Sequence, residues 1–321
     1  MAGAAHAKGL TVDETAKLTR GVTLLSVAVA ATLIVVKAIA WQVSGSVAVL
    51  ASLADSGLDL VASLVTFFVV RYAAEPPDAE HRYGHGKAEA FASLAQAGLV
   101  LLSAALVARE AVGRMFDPQP LERESWAMGV MLISLVLTSL LIVVQTRVLK
   151  RTGSVAVSGD RAHYFSDLAS NMMALAGIAA AAFLGLPVFD AVAGLLVAAW
   201  LVWGAYQVFA ESSRHLMDHE LPEAAREEIR RLIAASPGVI GVHQVRTRAS
   251  GPSIHIQAHV DLDPEITLLQ AHEILDRAEA QVLAVYPAAD IILHPDPHGL
   301  AEEHAQEFDA QEVDGRVEAA G

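Results

Sequence analysis

The chain has 321 residues, of which 54% are hydrophobic, a formal net charge of −14 and no cysteine. The lack of cysteine excludes disulfide frameworks, thiolate metal sites and cysteine nucleophiles. Acidic residues are concentrated after residue 211, which argues against nucleic-acid binding because an acidic surface repels phosphate. A composition this apolar is typical of a membrane protein with an additional soluble part.

Six apolar runs follow a polar leader, residues 1–20, which lacks the pattern of a cleaved signal peptide. Each run has roughly the 20 residues that a membrane-spanning helix needs. Very short links after the first and fifth runs predict antiparallel helix hairpins. The predicted spans are Val22–Val43, Val47–Val70, Ala88–Val107, Trp126–Leu149, His163–Leu184 and Val188–Phe209.

Lysine and arginine residues beside these runs predict the orientation of the chain. They occur in the leader, in the link between the second and third runs, and in the link between the fourth and fifth. The first-to-second and fifth-to-sixth links have none. Since positively charged links remain on the cytoplasmic side, we expect cytoplasmic N- and C-termini.

The second run contains two acidic residues that an apolar helix rarely carries. Asp55 and Asp59 are four residues apart, so on a helix their carboxylates share one face. Acidic residues inside a membrane are costly and usually functional, and two on one face repel each other unless a cation or protons lie between them. The only base in the longer apolar stretches Gly45–Ala73 and Ala162–Leu186 is Arg71, about three turns beyond Asp59 and too far away to neutralise the pair.

The fifth run repeats this spacing with His163 and Asp167. One imidazole and three carboxylates from two helices would form a four-ligand site for a divalent transition metal. The alternative is that these four residues form ion pairs or cap helices. Two such pairs on two separate membrane helices favour the metal site.

The link Glu75–Lys87 between the second and third runs contains a second set of candidate ligands. Two prolines stop the helix, and Asp78, His81 and His85 follow at spacings of three and four residues. This pattern predicts a three-ligand metal site at the membrane surface, or alternatively a solvated polar loop.

After the sixth run the pattern changes to that of a small α+β domain. Residues 222–235 and 267–285 have helical periodicity, whereas 239–249, 253–263 and 289–295 read as strands. The order αββαβ predicts a two-layer domain of ferredoxin-like type. We therefore expect a polar leader (1–20), a six-helix transmembrane domain (21–210), a cytoplasmic metal-binding ferredoxin-like domain (211–298) and an acidic disordered tail (299–321).

Histidines are frequent in the predicted cytoplasmic domain. Strand ends and a facing helix can bring such side chains together as a metal site, and the alternative is that some are ordinary surface or core histidines. We favour that alternative for His255 and His298. The full set consists of His243, His255, His259, His272, His294 and His298, with Asp296 two residues after His294.

Several stretches resemble one known family. They are SLADSGLDLVASLVTFFVVRYA, HRYGHGKAEAFASLAQAG, AHYFSDLASN, and GVHQVRTRASGP with ILHPDP. In these the chain is similar to the cation diffusion facilitator family, and specifically to its bacterial ferrous-iron and zinc efflux pumps, over residues 15–298.

The resemblance implies three metal sites and a contact of a homodimer. Pro295, His219 and His255 depart from the close relatives, which leaves the coordination at the cytoplasmic site open. The matching residues are Asp55, Asp59, His163 and Asp167 for the transport site, Asp78, His81 and His85 for the loop site, His243, His259, His272, His294 and Asp296 for a cytoplasmic two-metal site, and Lys87 with Asp218 for a dimer ion pair.

The resemblance also implies a function. It indicates a divalent metal cation efflux transporter, a Zn²⁺/H⁺ antiporter with Fe²⁺, Cd²⁺ or Co²⁺ as further substrates, that exports metal from the cytoplasm by alternating access. It implies a homodimer in the bacterial inner membrane, zinc as both transported and structural ion, and no organic cofactor. A metal-gated passive channel and a membrane-anchored metal sensor are the alternatives. An enzyme is not expected, because no phosphate loop and no credible nucleophile occur in the sequence.

Overall fold

The computed structural model describes residues 8–44, 47–116, 125–184 and 188–299. These form two compact units, one of residues 13–217 and one that joins the residues before Asp13 to those from Asp218 onward. The predicted disordered tail beyond Gly299 lies outside the described residues. So do residues 1–7 of the predicted leader and the links at 45–46, 117–124 and 185–187.

The described part of the first unit is built from long helices. α1 begins at Val12, earlier than the predicted start of the first span at Val22, and has Asp13 and Glu14 in its first turn. Acidic side chains there are favoured by the positive end of the helix dipole. The helices are α1 (Val12–Ser44), α2 (Val47–Ala73), α3 (Ala88–Phe116), α4 (Ser125–Thr152), α5 (Val155–Leu184) and α6 (Val188–Leu216).

Among the described residues, five of these helices are long and apolar enough to cross a membrane. Large apolar side chains such as Leu58, Phe68 and Leu196 are more than half exposed on them, as expected for a surface that faces lipid. The predicted span His163–Leu184 forms part of α5 and stays a prediction. The five stretches are Val12–Val43, Ser52–Ala73, Ala88–Gly113, Gly129–Thr152 and Gly194–Leu216.

α5 lies at the centre of the helical unit, in contact with α2, α3, α4 and α6. α3 approaches α5 closely at Gly159, where an added Cβ atom would lie 2.9 Å from the Cα of Ser93. A second close approach occurs where Gly194 of α6 meets Ala111 of α3, with 2.8 Å between an added Cβ and the alanine Cβ. Small residues at such crossings allow apolar helices to pack tightly.

The second unit contains α7 (Glu223–Ala234), β1 (Gly241–Ser250), β2 (Ser253–Leu262), α8 (Leu268–Val285) and β3 (Ala289–Pro297). This is the predicted order αββαβ. In the sheet, β2 lies between β1 and β3, antiparallel to β1 and parallel to β3. The assignment to the ferredoxin-like type stays a prediction.

One face of β2 supplies the core of this unit. Ile254, Ile256, Ala258 and Val260 alternate along the strand and are at most 2% exposed, which confirms the predicted alternation. They pack in one cluster with apolar residues of α7 and α8, including Ile229. The register of the sheet is therefore fixed, because a slip by one residue would turn this face toward solvent.

Candidate metal sites

α2 and α5 bring three of the four predicted transport-site residues together. His163 Nε2 lies 3.2 Å from Asp59 Oδ1 and 3.8 Å from Asp167 Oδ2. One ligand atom from each residue falls within 4.8 Å of the other two. The His163 side chain is only 6% exposed and the two carboxylates 13% and 22%. An imidazole and two carboxylates at this spacing fit a divalent transition metal.

The fourth predicted ligand, Asp55, lies one turn before Asp59 on α2 and is exposed. Within the described residues, it does not belong to the close group of Asp59, His163 and Asp167. Its role as a ligand stays a prediction.

A buried lysine of α1 packs against the stretch of α2 that carries Asp55 and Asp59. Lys37 of α1 is 8% exposed, and its Nζ atom donates to Ser56 Oγ at 2.6 Å and to the carbonyl oxygen of Ser52 at 3.1 Å, both on α2. Lys37 belongs to the first apolar run, whereas the acids belong to the second and fifth. A lysine inside an apolar run is costly, so its presence in the sequence is itself a signal for a functional site.

Asp160, a buried acid three residues before His163 on α5, forms a polar network with residues of α1 and α4. Asp160 is 1% exposed, and its Oδ2 atom accepts hydrogen bonds from Ser26 Oγ at 2.7 Å and from Gln145 Nε2 at 2.9 Å. Tyr164 donates to the backbone oxygen of Ser26. These contacts hold the stretch of α5 that carries His163 against α1 and α4.

The loop between α2 and α3 brings all three predicted ligands together. Asp78 Oδ1 lies 3.3 Å from His81 Nδ1, and Asp78 Oδ2 lies 3.3 Å from His85 Nε2. His85 is buried whereas Asp78 and His81 are exposed. The backbone N–H groups of His81 and Glu80 donate to Asp78, and the bond from His81 is the main reason why the pKa of Asp78 is lowered.

Three strands place the predicted cytoplasmic ligands side by side. His243 on β1 is paired with His259 on β2, and His259 with His294 on β3. Asp296 lies at their centre, with Oδ2 at 2.7 Å from His259 Nδ1 and 3.5 Å from His243 Nε2, and Oδ1 at 3.2 Å from His294 Nε2. The close group consists of His243, His259 and Asp296, with His294 adjoining it.

A β-bulge directly follows His243. The pairing of β1 with β2 shifts between His243 and Arg246, and Gln244 takes a positive φ of 47°. Bulges are frequent beside functional sites because they redirect a side chain. Asp261 Oδ1, 3.6 Å from His243 Nε2, is a further acidic neighbour. The sequence signal for Asp261 was its position on the same strand face as His259.

The remaining predicted residues lie outside these groups. His272 on α8 faces Asp276, with 3.5 Å between Nε2 and Oδ2. His255 Nδ1 lies 3.1 Å from Asp290 Oδ2, and its interpretation as an ordinary surface or core histidine stays a prediction. In this protomer Asp218 pairs with Arg248 at 3.2 Å, and Lys87 Nζ donates to the carbonyl oxygen of Leu216 at 3.3 Å. The ion pair between Lys87 and Asp218 stays a prediction.

Family models match most of the chain. The cation efflux transmembrane domain matches residues 23–217, and the cytoplasmic domain of cation efflux proteins matches residues 221–298. Cation-efflux pump FieF of Yersinia enterocolitica serotype O:8 / biotype 1B is 37% identical over 292 residues, which cover 90% of this chain and 97% of that protein.

Two further similarities were found. FieF of Salmonella choleraesuis strain SC-B67 is 35% identical over 293 residues, 91% of this chain and 97% of that protein. A solved structure of CzrB in its Zn form is 24% identical, covers 27% of this chain and 100% of that chain, and has a TM-score of 0.25. That structural score is too low to support an argument about this chain.

Proposed function

We propose that this chain, which belongs to the cation diffusion facilitator family and to its FieF-type members, exports Zn²⁺ from the cytoplasm in exchange for protons. It is a multi-pass membrane protein and a divalent metal efflux transporter, not an enzyme, and it carries a dimerisation domain. The proton coupling, the metal and the direction relative to the membrane are the proposed parts.

The close group of Asp59, His163 and Asp167 is the observation that carries the proposal. Metal and protons compete for these atoms, because a carboxylate or imidazole must lose its proton before it binds a metal ion. Metal arriving from the cytoplasm therefore displaces protons, and protons arriving from the other side displace the metal.

Alternating access connects this chemistry to export. In the proposed arrangement six spans, with N- and C-termini on the cytoplasmic side of a bacterial inner membrane, rock so that the site faces each side in turn. Asp55 joins the other three residues when metal binds, which completes a tetrahedral set of the kind that Zn²⁺ prefers. Mixed oxygen and nitrogen ligands also admit Fe²⁺, Cd²⁺ or Co²⁺.

The other two groups are proposed as structural or regulatory zinc sites. The cytoplasmic group around Asp296, with His272 completing a two-metal site, would bring two acidic domains together in a homodimer, because bound cations offset the repulsion between them. The proposed dimer is further held by the ion pair of Lys87 and Asp218. The loop group of Asp78, His81 and His85 would bind metal at the membrane surface.

Zinc uptake into proteoliposomes with an imposed pH gradient tests the proposal, with the internal pH followed at the same time. We expect gradient-driven zinc flux with opposite proton movement, and loss of both in Asp59→Ala. Zinc flux without proton movement would mean a passive channel. Tight zinc binding with no flux of Zn²⁺, Fe²⁺, Cd²⁺ or Co²⁺ would mean a membrane-anchored sensor.

A further inference from the structure

Tyr164, which directly follows His163 on α5, joins α5 to two other helices. Only 1% of the residue is exposed, and its hydroxyl group lies 2.7 Å from Ser63 Oγ on α2. The same hydroxyl donates to the backbone oxygen of Ser26 on α1 at 3.1 Å. Since its one proton goes to Ser26, the proton between Tyr164 and Ser63 comes from the serine. Both hydrogen bonds of this hydroxyl group are therefore made with helices other than its own.

The bond to Ser63 lies beside the contact that the two helices make at the proposed transport site. Ser63 is four residues after Asp59 on α2, so the two side chains share one face of that helix. Two hydrogen bonds thus join α2 to α5: Asp59 with His163 at 3.2 Å, and Ser63 with Tyr164 at 2.7 Å. The second involves no proposed metal ligand, so it can hold the helices together whether metal or protons occupy the site.

The groups around Tyr164 keep its hydroxyl in place. Ser26 accepts through its backbone oxygen, while its side chain donates to Asp160 Oδ2 at 2.7 Å. Gln145 of α4 donates to the same carboxylate oxygen at 2.9 Å. Ser26, Ser63, Asp160 and Gln145 are all at most 1% exposed. To break a hydrogen bond at such a place leaves a polar group buried without its partner, which is costly, so the Tyr164 hydroxyl is strongly favoured at its position next to Ser63.

The distance between α2 and α5 at this level suits zinc. Two ligands of a tetrahedral Zn²⁺ ion with bonds of about 2.0 Å lie about 3.3 Å apart, and Asp59 Oδ1 lies 3.2 Å from His163 Nε2. Cd²⁺ is a larger ion with longer bonds, so its ligands must lie farther apart. We propose that Tyr164 is a positioning residue that, through Ser63, holds α2 at the distance from α5 that favours Zn²⁺ over Cd²⁺; this inference rests on the proposed function.

A purely structural role of Tyr164 makes a different prediction. If the hydroxyl group only stabilises the helix packing, its loss would weaken the binding of Zn²⁺ and Cd²⁺ by the same factor. Tyr164→Phe removes both hydrogen bonds and keeps the buried ring, whereas Ser63→Ala removes only the bond to α2. Tyr206→Phe is the matched control, because Tyr206 is 66% exposed on α6 and loses the same hydroxyl group.

Calorimetric titration of the full-length protein in detergent with Zn²⁺ and with Cd²⁺ separates these roles. The background carries Asp78→Ala and Asp296→Ala, so that the loop and cytoplasmic groups do not contribute. We expect Tyr164→Phe and Ser63→Ala each to lower zinc affinity by about tenfold, the lower end of the loss when a residue that orients metal ligands is removed. Cadmium affinity should fall less, so the ratio of the two affinities decreases. Tyr206→Phe should follow the background protein.

Two outcomes of the titration overturn the inference: a ratio of zinc to cadmium affinity that is unchanged in Tyr164→Phe, or one that changes in Tyr164→Phe but not in Ser63→Ala. Ser63→Ala keeps the buried ring, so it decides the question alone if Tyr164→Phe does not fold. Zinc binding that persists in Asp59→Ala in the same background would instead overturn the proposed site itself.

Bound Co²⁺ gives a spectroscopic readout of the same geometry. A tetrahedral Co²⁺ ion absorbs visible light far more strongly than an octahedral one, so the absorption per bound ion reports how the ligands are arranged. We expect weaker absorption in Tyr164→Phe and Ser63→Ala than in the background protein and in Tyr206→Phe. Identical spectra of all four proteins would contradict the positioning role.

Discussion

Asp296 Oδ2 lies 2.7 Å from His259 Nδ1, across the parallel pairing of β3 with β2. The same carboxylate faces His243 and His294 through its two oxygen atoms, and its side chain is only 6% exposed. One buried carboxylate thus connects histidines from all three strands. A metal ion bound there would tie β1, β2 and β3 together.

Asp296→Ala should therefore abolish zinc-dependent stabilisation of the second unit. A ligand that binds only the folded state stabilises it by about 2.7 kcal/mol at a hundredfold excess over its Kd, and we expect most of this gain to disappear. Thermal unfolding of the full-length protein in detergent, with zinc and with chelator, measures it. Glu273→Ala, which removes an exposed carboxylate of α8, serves as the control. An unchanged zinc shift in Asp296→Ala would show that the metal binds elsewhere.

Asp59→Ala and Asp167→Ala should abolish zinc transport without preventing folding. Each removes a carboxylate of the close group around His163, and loss of a ligand should cost more than the roughly 10- to 100-fold that loss of an outer-shell partner costs. We expect Asp55→Ala to behave in the same way, because it supplies the proposed fourth ligand. Flux in proteoliposomes is the readout, with size-exclusion chromatography to check folding and Asp13→Ala, an exposed acid of α1, as the control. If flux were lost in the other two variants but normal in Asp55→Ala, the site would have only three protein ligands, Asp59, His163 and Asp167.

Gly159→Ala should destabilise the helical unit. The added Cβ atom would lie 2.7 Å from Ser93 Oγ and 2.9 Å from Ser93 Cα, so α5 and α3 would have to separate. Overpacking of this kind typically costs about 1–3 kcal/mol. Thermal unfolding in detergent should show a lower midpoint for Gly159→Ala than for Gly98→Ala on α3, where an added Cβ meets no atom within 4 Å of the described structure. Equal midpoints would mean that the two helices are not in close contact there.

Asp78→Asn tests the loop site. Backbone N–H groups, above all that of His81, lower the pKa of Asp78, so this carboxylate stays ionised throughout the range in which histidine titrates. A lowered pKa also means that these bonds favour the folded loop above the unfolded pKa of aspartate, and that this contribution is lost as pH falls through the lower folded value. Acidification should therefore not release metal from this site through protonation of Asp78 until the pH falls below the ordinary pKa of aspartate.

The asparagine keeps an oxygen that accepts the same backbone hydrogen bonds but removes the charge. We expect metal affinity at the loop to fall by more than about tenfold, as measured by calorimetry in an Asp296→Ala and Asp59→Ala background. Glu80→Gln is the matched control, because Glu80 is exposed and lies outside the close group. Equal affinities of the two variants would favour the solvated-loop alternative.

Local periodicity was enough to predict the elements of this chain. A helix places residues i and i+4 on one face, so Asp55 with Asp59, and His163 with Asp167, could be recognised as pairs from spacing alone. Strand alternation identified Ile254–Val260 as a buried face in the same way. The order αββαβ followed from these patterns, and the structure confirms that order.

Contacts between elements were decided only by the tertiary structure. Periodicity states which residues share a face but not which faces meet, because helix packing depends on side chains far apart in sequence. Thus Lys37 of α1 donates to Ser52 and Ser56 of α2, while Asp55 lies outside the close group around His163. The bulge at Gln244 and the position of Asp296 among three histidines likewise depend on how β1 and β3 pair with β2. The sequence determined the candidate ligands, and the packing of helices and strands decided which of them lie close enough to share one metal ion.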